Sequence, residues 1–225
     1  MKSKKKKIKF INCHVDNSKK VFAPRTETEF WVKEAIKTLK RAKKPFYVLD
    51  IFAGTGCIGI SVLRAIKNIK VDFVDIDNKA VEQIRLNLKL NRISSDRYKI
   101  YKSDLFEKLE GRKPEFFKNE VSGAEYDFIF ANPPYVALDR ISEVQKEIIE
   151  KEPKTALFAG KDGMVLIYKF LVRVKKYLKP NGIIFMEFDP LQKEKIKKIM
   201  INENFKAEFK KDQFDKYRWL KAHIK

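Results

Sequence analysis

Val48–Gly59 reads VLDIFAGTGCIG, an apolar strand that runs into a glycine-rich turn and then the start of a helix. This order lets the backbone of a doubly wound sheet come close to a bound nucleotide, although glycines at this spacing can also serve only to turn the chain. Gly54, Gly56 and Gly59 satisfy the G-x-G-x-x-G spacing of dinucleotide-binding proteins, so NAD remains an alternative cofactor at this point. The candidate cofactor contacts in this segment are Asp50, Phe52, Gly54, Thr55 and Gly56.

Short apolar strands alternate with amphipathic helices from Phe46 onward. This alternation predicts βαβ units and an α/β fold with a doubly wound, mostly parallel sheet. The predicted strands span residues 47–51, 71–75, 98–102, 128–131, 183–188, 205–210 and 218–223. The predicted helices span about 58–67, 79–90, 163–178 and 191–202. Because no helix fits between the last two strands, we expect them to form an antiparallel hairpin that completes a seven-stranded sheet.

The N-terminal region is basic and precedes the predicted sheet. Residues 8–13 and 20–22 flank the polar stretch 16–18, which predicts a short β-hairpin with its turn at the polar residues. Thr26 and Glu29 have the spacing of a capping box, so a helix is expected from Thr26 to about Arg41. A chain of 225 residues that is 44% hydrophobic suits one core, so we expect a basic segment over residues 1–25 and one domain over residues 26–225.

Two further predicted strands end in acidic residues. Asp75 follows the second strand, about 20 residues after the glycines, where a carboxylate can accept hydrogen bonds from ribose hydroxyls. Asp104 follows the third strand, where it can hold an adenine amino group or simply cap the next helix. Ile76 and Leu105, which follow these acids, are further candidate cofactor contacts. NAD and S-adenosylmethionine both carry a ribose and an adenine, so these residues alone do not choose between them.

Asn132-Pro133-Pro134-Tyr135 follows the fourth predicted strand. Successive prolines lack N–H donors and fix φ, which leaves the Asn132 side chain and the Pro133 carbonyl as preset acceptors for an NH2 group. A conjugated amide or amine nitrogen is a poor nucleophile, and acceptors on its N–H bonds can orient it toward an electrophilic methyl group while Tyr135 stacks on its plane. A proline turn alone explains the prolines but not the whole motif at the end of a central strand, where ligands bind. The motif predicts methyl transfer to a planar nitrogen.

These motifs, in this order, resemble the Rossmann-like S-adenosylmethionine-dependent methyltransferases, and three further segments are similar to the release-factor glutamine methyltransferases called HemK or PrmC. Residues 22–29 read FAPRTETE and are similar to that family's P-R-P-E-T-E segment. Residues 152–163 read EPKTALFAGKDG and match its E-P-x-x-A-L-x-x-G-x-D-G stretch. Glu187 and Gln192 stand where the family has E-x-G-x-x-Q. The resemblance covers the chain from about residue 8 to the C-terminus.

The resemblance implies a class I methyltransferase fold with S-adenosylmethionine as cofactor. It implies methylation at N5 of the glutamine in the G-G-Q loop of a peptide-chain release factor, which would be the protein partner. The implied catalytic residues are Asn132, Pro133, Pro134 and Tyr135, of which Asn132 also contacts the cofactor. The implied substrate contacts are these four residues together with Pro24, Arg25, Glu29, Glu152 and Pro153.

The sequence departs from the family pattern at several positions. Only a short basic segment precedes Pro24, so we expect the chain to lack the family's N-terminal helical domain, which helps to hold the release factor. Phe52 and Ala53 replace the first Gly and Thr of the glycine turn, which makes it similar to methyltransferases that act on rRNA or DNA bases. Asp189 replaces a family Gly, and Thr26 replaces a Pro. A base methyltransferase is therefore the main alternative, although such enzymes are not expected to share the E-P-x-x-A-L stretch.

The net charge is strongly positive, with 50 Lys and Arg against 30 Asp and Glu, or +20. This charge favours contact with RNA or ribosomes, but most of the excess is scattered lysine that serves solubility equally well. A second alternative is a non-enzymatic RNA-binding protein on an inactive fold, and the intact glycine turn, Asp75 and Asn132 disfavour it.

Composition also bounds the location and the chemistry. The longest apolar runs are strand-length, and no apolar segment follows the basic N-terminus, so we expect neither a membrane span nor a signal peptide. Cys13 and Cys57 give no disulfide framework, which favours the cytoplasm. His14 and His223 have no partner at ligand spacing, so no metal site is expected.

Overall fold

The computed structural model describes residues 7–43, 45–110, 126–143 and 160–225. Its strands are β1 (Ile8–Phe10), β2 (Cys13–Val15), β3 (Phe46–Ile51), β4 (Ile69–Asp75), β5 (Tyr98–Lys102), β6 (Tyr126–Ala131), β7 (Leu178–Glu187), β8 (Phe205–Lys211) and β9 (Tyr217–Ile224). Its α-helices are α1 (Thr26–Lys40), α2 (Cys57–Ala65), α3 (Asn78–Leu90), α4 (Val165–Val174) and α5 (Lys193–Asn202). Among the described helices, none combines the length and the hydropathy that a membrane span requires.

Seven strands form one sheet in the order β5-β4-β3-β6-β7-β9-β8. The strands from β5 to β7 in this order pair in parallel, whereas β9 runs antiparallel to both of its neighbours, β7 and β8. The predicted doubly wound sheet with an antiparallel last strand is therefore confirmed.

The sheet changes direction of winding at β3. From β3 the chain moves outward to β4 and β5, and it then returns to β6 on the opposite side of β3. Ile51 pairs with Val74 on one side and with Ala131 on the other, so the carboxyl ends of the three strands lie at one edge. An open α/β sheet binds its ligands at such a switch point, and this geometry brings the glycine turn, Asp75 and Asn132 together.

Helices cover both faces of the sheet. On one face α1 buries Trp31, which stacks on Phe130 at 6.0 Å between ring centroids and on Trp219 at 6.4 Å. The N-terminal hairpin joins this core through Phe10 and its neighbours. On the other face, α4 and α5 bury their apolar sides, including Phe170, against the sheet. The sheet is thus held between two cores, and its carboxyl edge stays open.

The N-terminal hairpin exists, but its predicted turn is wrong. β1 pairs with β2 through Phe10 and Cys13, so the chain turns at Ile11, whose φ is +50°, and Asn12. The polar stretch 16–18 instead fixes the chain to α3, because Asn87 Oδ1 accepts a hydrogen bond from the Asp16 amide at 2.8 Å. Residues 20–22 consequently form no strand.

Helix α1 begins at Thr26 as predicted, but the predicted capping box is wrong. The residue before the first turn is Arg25, and no side chain caps that turn. Thr26 donates its hydroxyl proton to Glu27, and Glu29 pairs with Lys33 at 2.7 Å. Helix α4 also ends before the predicted residue 178, because Leu178 already pairs with Tyr126 as the first residue of β7.

Candidate active site

A cavity of about 700 Å³ opens at the carboxyl ends of β3, β4 and β6. The site residues predicted from the sequence that line it are Pro24, Arg25, Phe52, Gly54, Thr55, Asp75, Ile76, Asp104, Leu105, Asn132, Pro133, Pro134 and Tyr135. Asp50, Gly56 and Glu29 are not among the lining residues. Glu152 and Pro153 lie outside the described residues. Residues from five separate segments of the sequence therefore share one cavity.

Asp75 holds the glycine turn in place. Its Oδ2 accepts a hydrogen bond from the Gly54 amide at 2.8 Å, and its Oδ1 accepts one from the Asp77 amide at 2.9 Å. Each carboxylate oxygen keeps a further lone pair that can accept from a ligand hydroxyl. Burial raises the pKa of Asp75, and the hydrogen bonds from the Asp77 and Gly54 amides oppose that rise. Asp75 thus fixes the backbone of the turn and also lines the cavity.

Asp50 lies beneath the turn rather than on the cavity surface. It is fully buried, and its Oδ2 accepts a hydrogen bond from the Gly59 amide at 2.8 Å. Burial raises its pKa to about 8, with the charge of Asp75 adding to the rise and the Gly59 bond opposing it. Within the described residues its Oδ1 has no hydrogen-bond partner. Asp50 therefore supports the turn from below and carries a buried acceptor that nothing in the described chain satisfies.

Phe52 occupies a backbone conformation that favours glycine. Its φ is +61°, in the left-handed region that costs a residue with a side chain about 1 kcal/mol or more. The ring packs edge-on against Phe170 of α4, with centroids 6.1 Å apart. Packing on the α4 core thus offsets the strain at the position where the resembling family has Gly.

The apolar part of the cavity suits a flat ring. Ile76 is 58% exposed although it follows a buried strand, and Leu105 faces the same cavity. Asp104 lies beside Leu105 on the cavity wall. An exposed aliphatic side chain, a second one from the next loop and two carboxylates match the adenine and ribose of S-adenosylmethionine. The residues present therefore fit this cofactor.

The motif 132–135 forms the opposite wall and is anchored by side chains from other elements. The Asn132 Nδ2 lies 3.4 Å from the Thr28 hydroxyl of α1. The Tyr135 hydroxyl donates to Glu187 Oε1 at 3.0 Å. Burial first, and then the charge of Glu187, raise the pKa of Tyr135 well above its ordinary value, so its hydroxyl stays protonated.

Glu187, the last residue of β7, is 1% exposed and accepts several hydrogen bonds. Its Oε2 accepts from the Thr28 hydroxyl and from the Trp31 indole N–H, each at 2.7 Å. Burial raises the pKa of Glu187, and the bonds from Trp31, Thr28 and Tyr135 oppose that rise, as does the charge of Arg218. A buried carboxylate with this many donors is a fixed acceptor at the base of the site.

The backbone of the motif 132–135 is also held in place by two of the segments that resemble the HemK or PrmC family. Gln192 Nε2 donates to the Tyr135 carbonyl at 2.9 Å and to the Asp162 carbonyl at 3.3 Å. Gly163 approaches the same Tyr135 carbonyl so closely that a Cβ would lie 2.1 Å from it. The G-x-D-G and E-x-x-x-x-Q segments therefore fix the position of the motif's last residue.

The rim of the cavity is formed by the chain before α1. The Arg25 guanidinium lies 4.9 Å from the centroid of the Phe22 ring, and both side chains line the opening. Arg218 of β9 also lines the cavity and forms an ion pair with the buried Asp212 at 3.2 Å.

Sequence reasoning did not include Thr28, Trp31, Phe22 or Arg218 among the site residues. One signal was available: Glu187 lies within the otherwise apolar stretch 183–188, and an unpaired glutamate is almost never fully buried. Its partners on α1 lie more than 150 residues away in sequence, at a separation of 159 residues for Thr28 and 156 for Trp31. No local pattern connects them.

Residues 34–171, more than half of the chain, match the methyltransferase small domain family. A release factor glutamine methyltransferase of Clostridium acetobutylicum is 31% identical over 201 residues, which cover 88% of this chain and 66% of that protein. A ribosomal protein uL3 glutamine methyltransferase of Francisella tularensis is 32% identical over 183 residues, which cover 81% of this chain and 54% of that protein. The chain thus spans only part of the length of each of these relatives.

A solved structure with the same fold is the ribosomal protein L11 methylase from Lactobacillus delbrueckii subsp. bulgaricus. The TM-score is 0.62 at 17% identity, and the superposition covers 91% of this chain and 81% of that one. The resemblance to the HemK or PrmC glutamine methyltransferases is confirmed by the sequence relatives. With its sheet order, its cavity at the switch point and a family match over residues 34–171, the chain belongs to the methyltransferase small domain family.

Proposed function

We propose that the protein transfers a methyl group from S-adenosylmethionine to the side-chain amide nitrogen, N5, of the glutamine in the G-G-Q loop of a peptide-chain release factor. The proposal rests on one observation: Asn132 and the residues that follow it line the same cavity as Asp75 and Gly54. The names of relatives that are 31% and 32% identical support glutamine as the acceptor. This substrate implies that the protein acts in the cytoplasm.

The carboxyl ends of β3 and β4 would hold the cofactor. Asp75 would accept hydrogen bonds from its ribose hydroxyls, Ile76 and Leu105 would enclose the adenine, and Asp104 would accept from the adenine amino group. Asp50 supports the turn from below through the Gly59 amide, and Gly56, with a φ of +75°, leads the turn into α2. Phe52, Gly54 and Thr55 form the part of the turn that lines the cavity. When bound, S-adenosylmethionine supplies an electrophilic methyl group attached to a positively charged sulfur.

Asn132 and Pro133 activate the substrate nitrogen. The Asn132 Oδ1 and the Pro133 carbonyl accept hydrogen bonds from the two N–H groups of the substrate nitrogen. These bonds turn the nitrogen lone pair toward the methyl group and stabilise the positive charge that develops on the nitrogen. Pro134 fixes the loop, and Tyr135 packs its ring against the flat amide while its hydroxyl stays bound to Glu187. Transfer would break the bond between the methyl group and the cofactor sulfur, leaving S-adenosylhomocysteine, and the substrate nitrogen would release one proton to water.

The substrate reaches the cavity past its rim. Pro24 and Arg25 line the cavity. Glu29, Glu152 and Pro153 are the further substrate contacts that the resemblance to the HemK or PrmC family implies. A glutamine side chain would enter as an aliphatic stem with an amide tip, as a protruding loop of a protein can present it.

Tandem mass spectrometry of the release factor tests the proposal. The protein is incubated with methyl-labelled S-adenosylmethionine and release factor, and the G-G-Q peptide is sequenced after digestion. We expect one methyl group on the glutamine side chain, and none when that glutamine is replaced by asparagine. A methylated ribosomal protein uL3 with an unmodified release factor would move the assignment to the substrate of the Francisella relative.

The second candidate function is methylation of an exocyclic base amine in rRNA or DNA. It is favoured by the net charge of +20 and by Phe52 in the glycine turn. A base would have to leave its stack to reach Asn132, and its binding would need phosphate contacts. Such a reaction would fall steeply with salt through counterion release, whereas glutamine methylation would fall only modestly.

A further inference from the structure

A chain of hydrogen bonds runs from the end of β7 through α1 to Asn132. Glu187 Oε2 accepts the Thr28 hydroxyl at 2.7 Å, and the Thr28 oxygen lies 3.4 Å from Asn132 Nδ2. Thr28 is 2% exposed and Glu187 is 1% exposed, so little water reaches the bond between them. Thr28 is the intermediate residue through which a carboxylate at the base of the site reaches the residue that binds substrate.

The three donors around Glu187 oppose the rise in its pKa that burial causes, and they favour one arrangement of the protons in this chain. The Trp31 indole nitrogen is a donor only, and the Tyr135 hydroxyl stays protonated, so both donate to Glu187. These bonds suit an ionised carboxylate, which accepts and does not donate. Thr28 has a single hydroxyl proton, and Glu187 takes it at 2.7 Å. The Thr28 oxygen can then only accept, so the branch of the Asn132 amide that faces it must be the NH2 group.

We infer that Glu187 and Thr28 are positioning residues that set which way the Asn132 amide is turned, so that its oxygen rather than its nitrogen is presented to the substrate NH2 group. This inference rests on the proposed function of Asn132. An Asn side chain has nearly the same shape in its two orientations, so packing alone does not choose between them. The hydrogen bond to Thr28 supplies the choice.

The opposite orientation would be doubly unfavourable. Asn132 Nδ2 would face the substrate NH2 group, donor against donor, and Oδ1 would face a Thr28 oxygen whose proton is already bound to Glu187. A reversed amide would leave the substrate nitrogen without its side-chain acceptor. The hydrogen bonds from Glu187 through Thr28 to Asn132 therefore affect turnover by orienting Asn132. They leave the proposed cofactor contacts at Asp75 unchanged.

Substitutions at Thr28 distinguish the effect of its hydroxyl hydrogen bonds from the effect of its packing. Thr28→Val keeps the shape but removes the hydroxyl, and we expect kcat to fall about tenfold or more while the cofactor Kd stays within about threefold. Thr28→Ser keeps the hydroxyl and should retain kcat within about threefold. Thr26→Val is the matched control, because the exposed Thr26 hydroxyl donates only to Glu27 on the same helix. Equal kcat values for the Val and Ser variants at position 28 would overturn the inference.

Glu187→Gln tests whether the carboxylate of Glu187 sets the direction of the Thr28 hydrogen bonds. The new amide can donate to the Thr28 oxygen, which frees the Thr28 proton to point at Asn132 and favours the reversed orientation. We expect kcat to fall about tenfold or more with cofactor affinity retained. The hydrogen bonds of Glu187 run to Thr28, Trp31 and Tyr135, whereas the proposed ribose contact is Asp75. A Glu187→Gln enzyme with wild-type kcat would contradict the inference.

Side-chain NMR reads the orientation without any substrate. With the Asn side chains labelled with nitrogen-15, the Asn132 NH2 pair is assigned by its absence in Asn132→Asp. We expect one proton of the pair to be protected from exchange in the wild type and in Thr28→Ser, and unprotected in Thr28→Val. An unprotected pair in the wild type would overturn the inference that Thr28 orients the Asn132 amide. Failure of the wild type to methylate release factor would instead contradict the proposed function, and the NMR result would still show whether Thr28 orients the amide.

Discussion

Gly163 lies directly against the carbonyl of Tyr135: a Cβ added at position 163 would come within 2.1 Å of that oxygen and within 2.7 Å of Gln192 Nε2. The φ of Gly163 is +72°, a value that residues with side chains rarely adopt. Both facts require glycine here. The G-x-D-G segment thus has a structural role, because it lets the chain after it pack on the backbone of the Asn132–Tyr135 motif.

Gly163→Ala should weaken both stability and turnover. The added methyl group must displace the Tyr135 backbone or the Gln192 side chain, and positive φ adds strain, so we expect about 2 kcal/mol or more of destabilisation. Movement of Tyr135 should also lower kcat by about tenfold or more. Urea unfolding and steady-state kinetics measure the two effects. Lys161→Ala, at an exposed neighbour, is the control, and full activity of Gly163→Ala would show that the close approach is not needed.

Asn132→Ala should lower turnover by about 10²-fold or more while the cofactor Kd changes only a few-fold. The physical reason is that the lost Oδ1 acts on the substrate nitrogen. Isothermal titration gives the Kd, and single-turnover kinetics give the rate. Asn202→Ala, at the exposed end of α5, controls for loss of an amide. A matching loss in cofactor binding would remove Asn132 from its proposed role.

Asp75→Ala should have the opposite effect and raise the cofactor Kd by about tenfold or more. The substitution removes the ribose acceptors and also frees the Gly54 amide, which Asp75 holds at 2.8 Å. Titration of the folded variant measures the Kd. The exposed Asp96 provides the control Asp96→Ala. An unchanged Kd would take Asp75 out of the cofactor site.

The buried Asp50 should make stability depend on pH. Its pKa rises from 3.8 to about 8 on folding, so between these values the folded state binds the extra proton, and the stability that this provides is lost as pH rises toward 8. Asp50→Asn cannot titrate. Between pH 6 and pH 8 we therefore expect the variant to gain about 2 kcal/mol relative to the wild type in urea unfolding of the cofactor-free protein. Asp96→Asn is the control, and a difference that does not vary with pH would contradict the raised pKa.

The fold and the composition of the cavity wall could be predicted from the sequence because their signals are local. The stretch 48–59 contains strand, turn and helix in one run, and β6 leads directly into Asn132. The parallel sheet then brings the ends of β3, β4 and β6 together, so residues that follow these strands meet without any further information.

The anchoring of the site could not be predicted, because it depends on pairs that are distant in sequence. Thr28 lies between Thr26 and Glu29, the two residues of the predicted capping box, yet its hydroxyl is bound to Glu187, 159 residues away. Asp16 and Asn17 do lie at a turn, in which the Asn17 carbonyl accepts from the Lys20 amide at 3.1 Å, but that turn joins no strands. The Asp16 amide binds Asn87 of α3 instead of a partner strand. Asp50 was expected at the cofactor, whereas its carboxyl group lies beneath the turn. In each case the polar group forms a hydrogen bond with a partner that local sequence patterns do not predict.

One competition assay tests the choice of a glutamine amide as acceptor most directly. Wild-type protein and Asn132→Ala are incubated with limiting methyl-labelled S-adenosylmethionine in a mixture of release factor, ribosomal protein uL3, rRNA and DNA, and the label is located by mass spectrometry and nucleoside analysis. We expect the label on the G-G-Q glutamine, lost with Asn132→Ala and lost when that glutamine is replaced. Label on rRNA or DNA that disappears with Asn132→Ala, with none on the release factor, would contradict the glutamine assignment and leave the fold and the cofactor site intact.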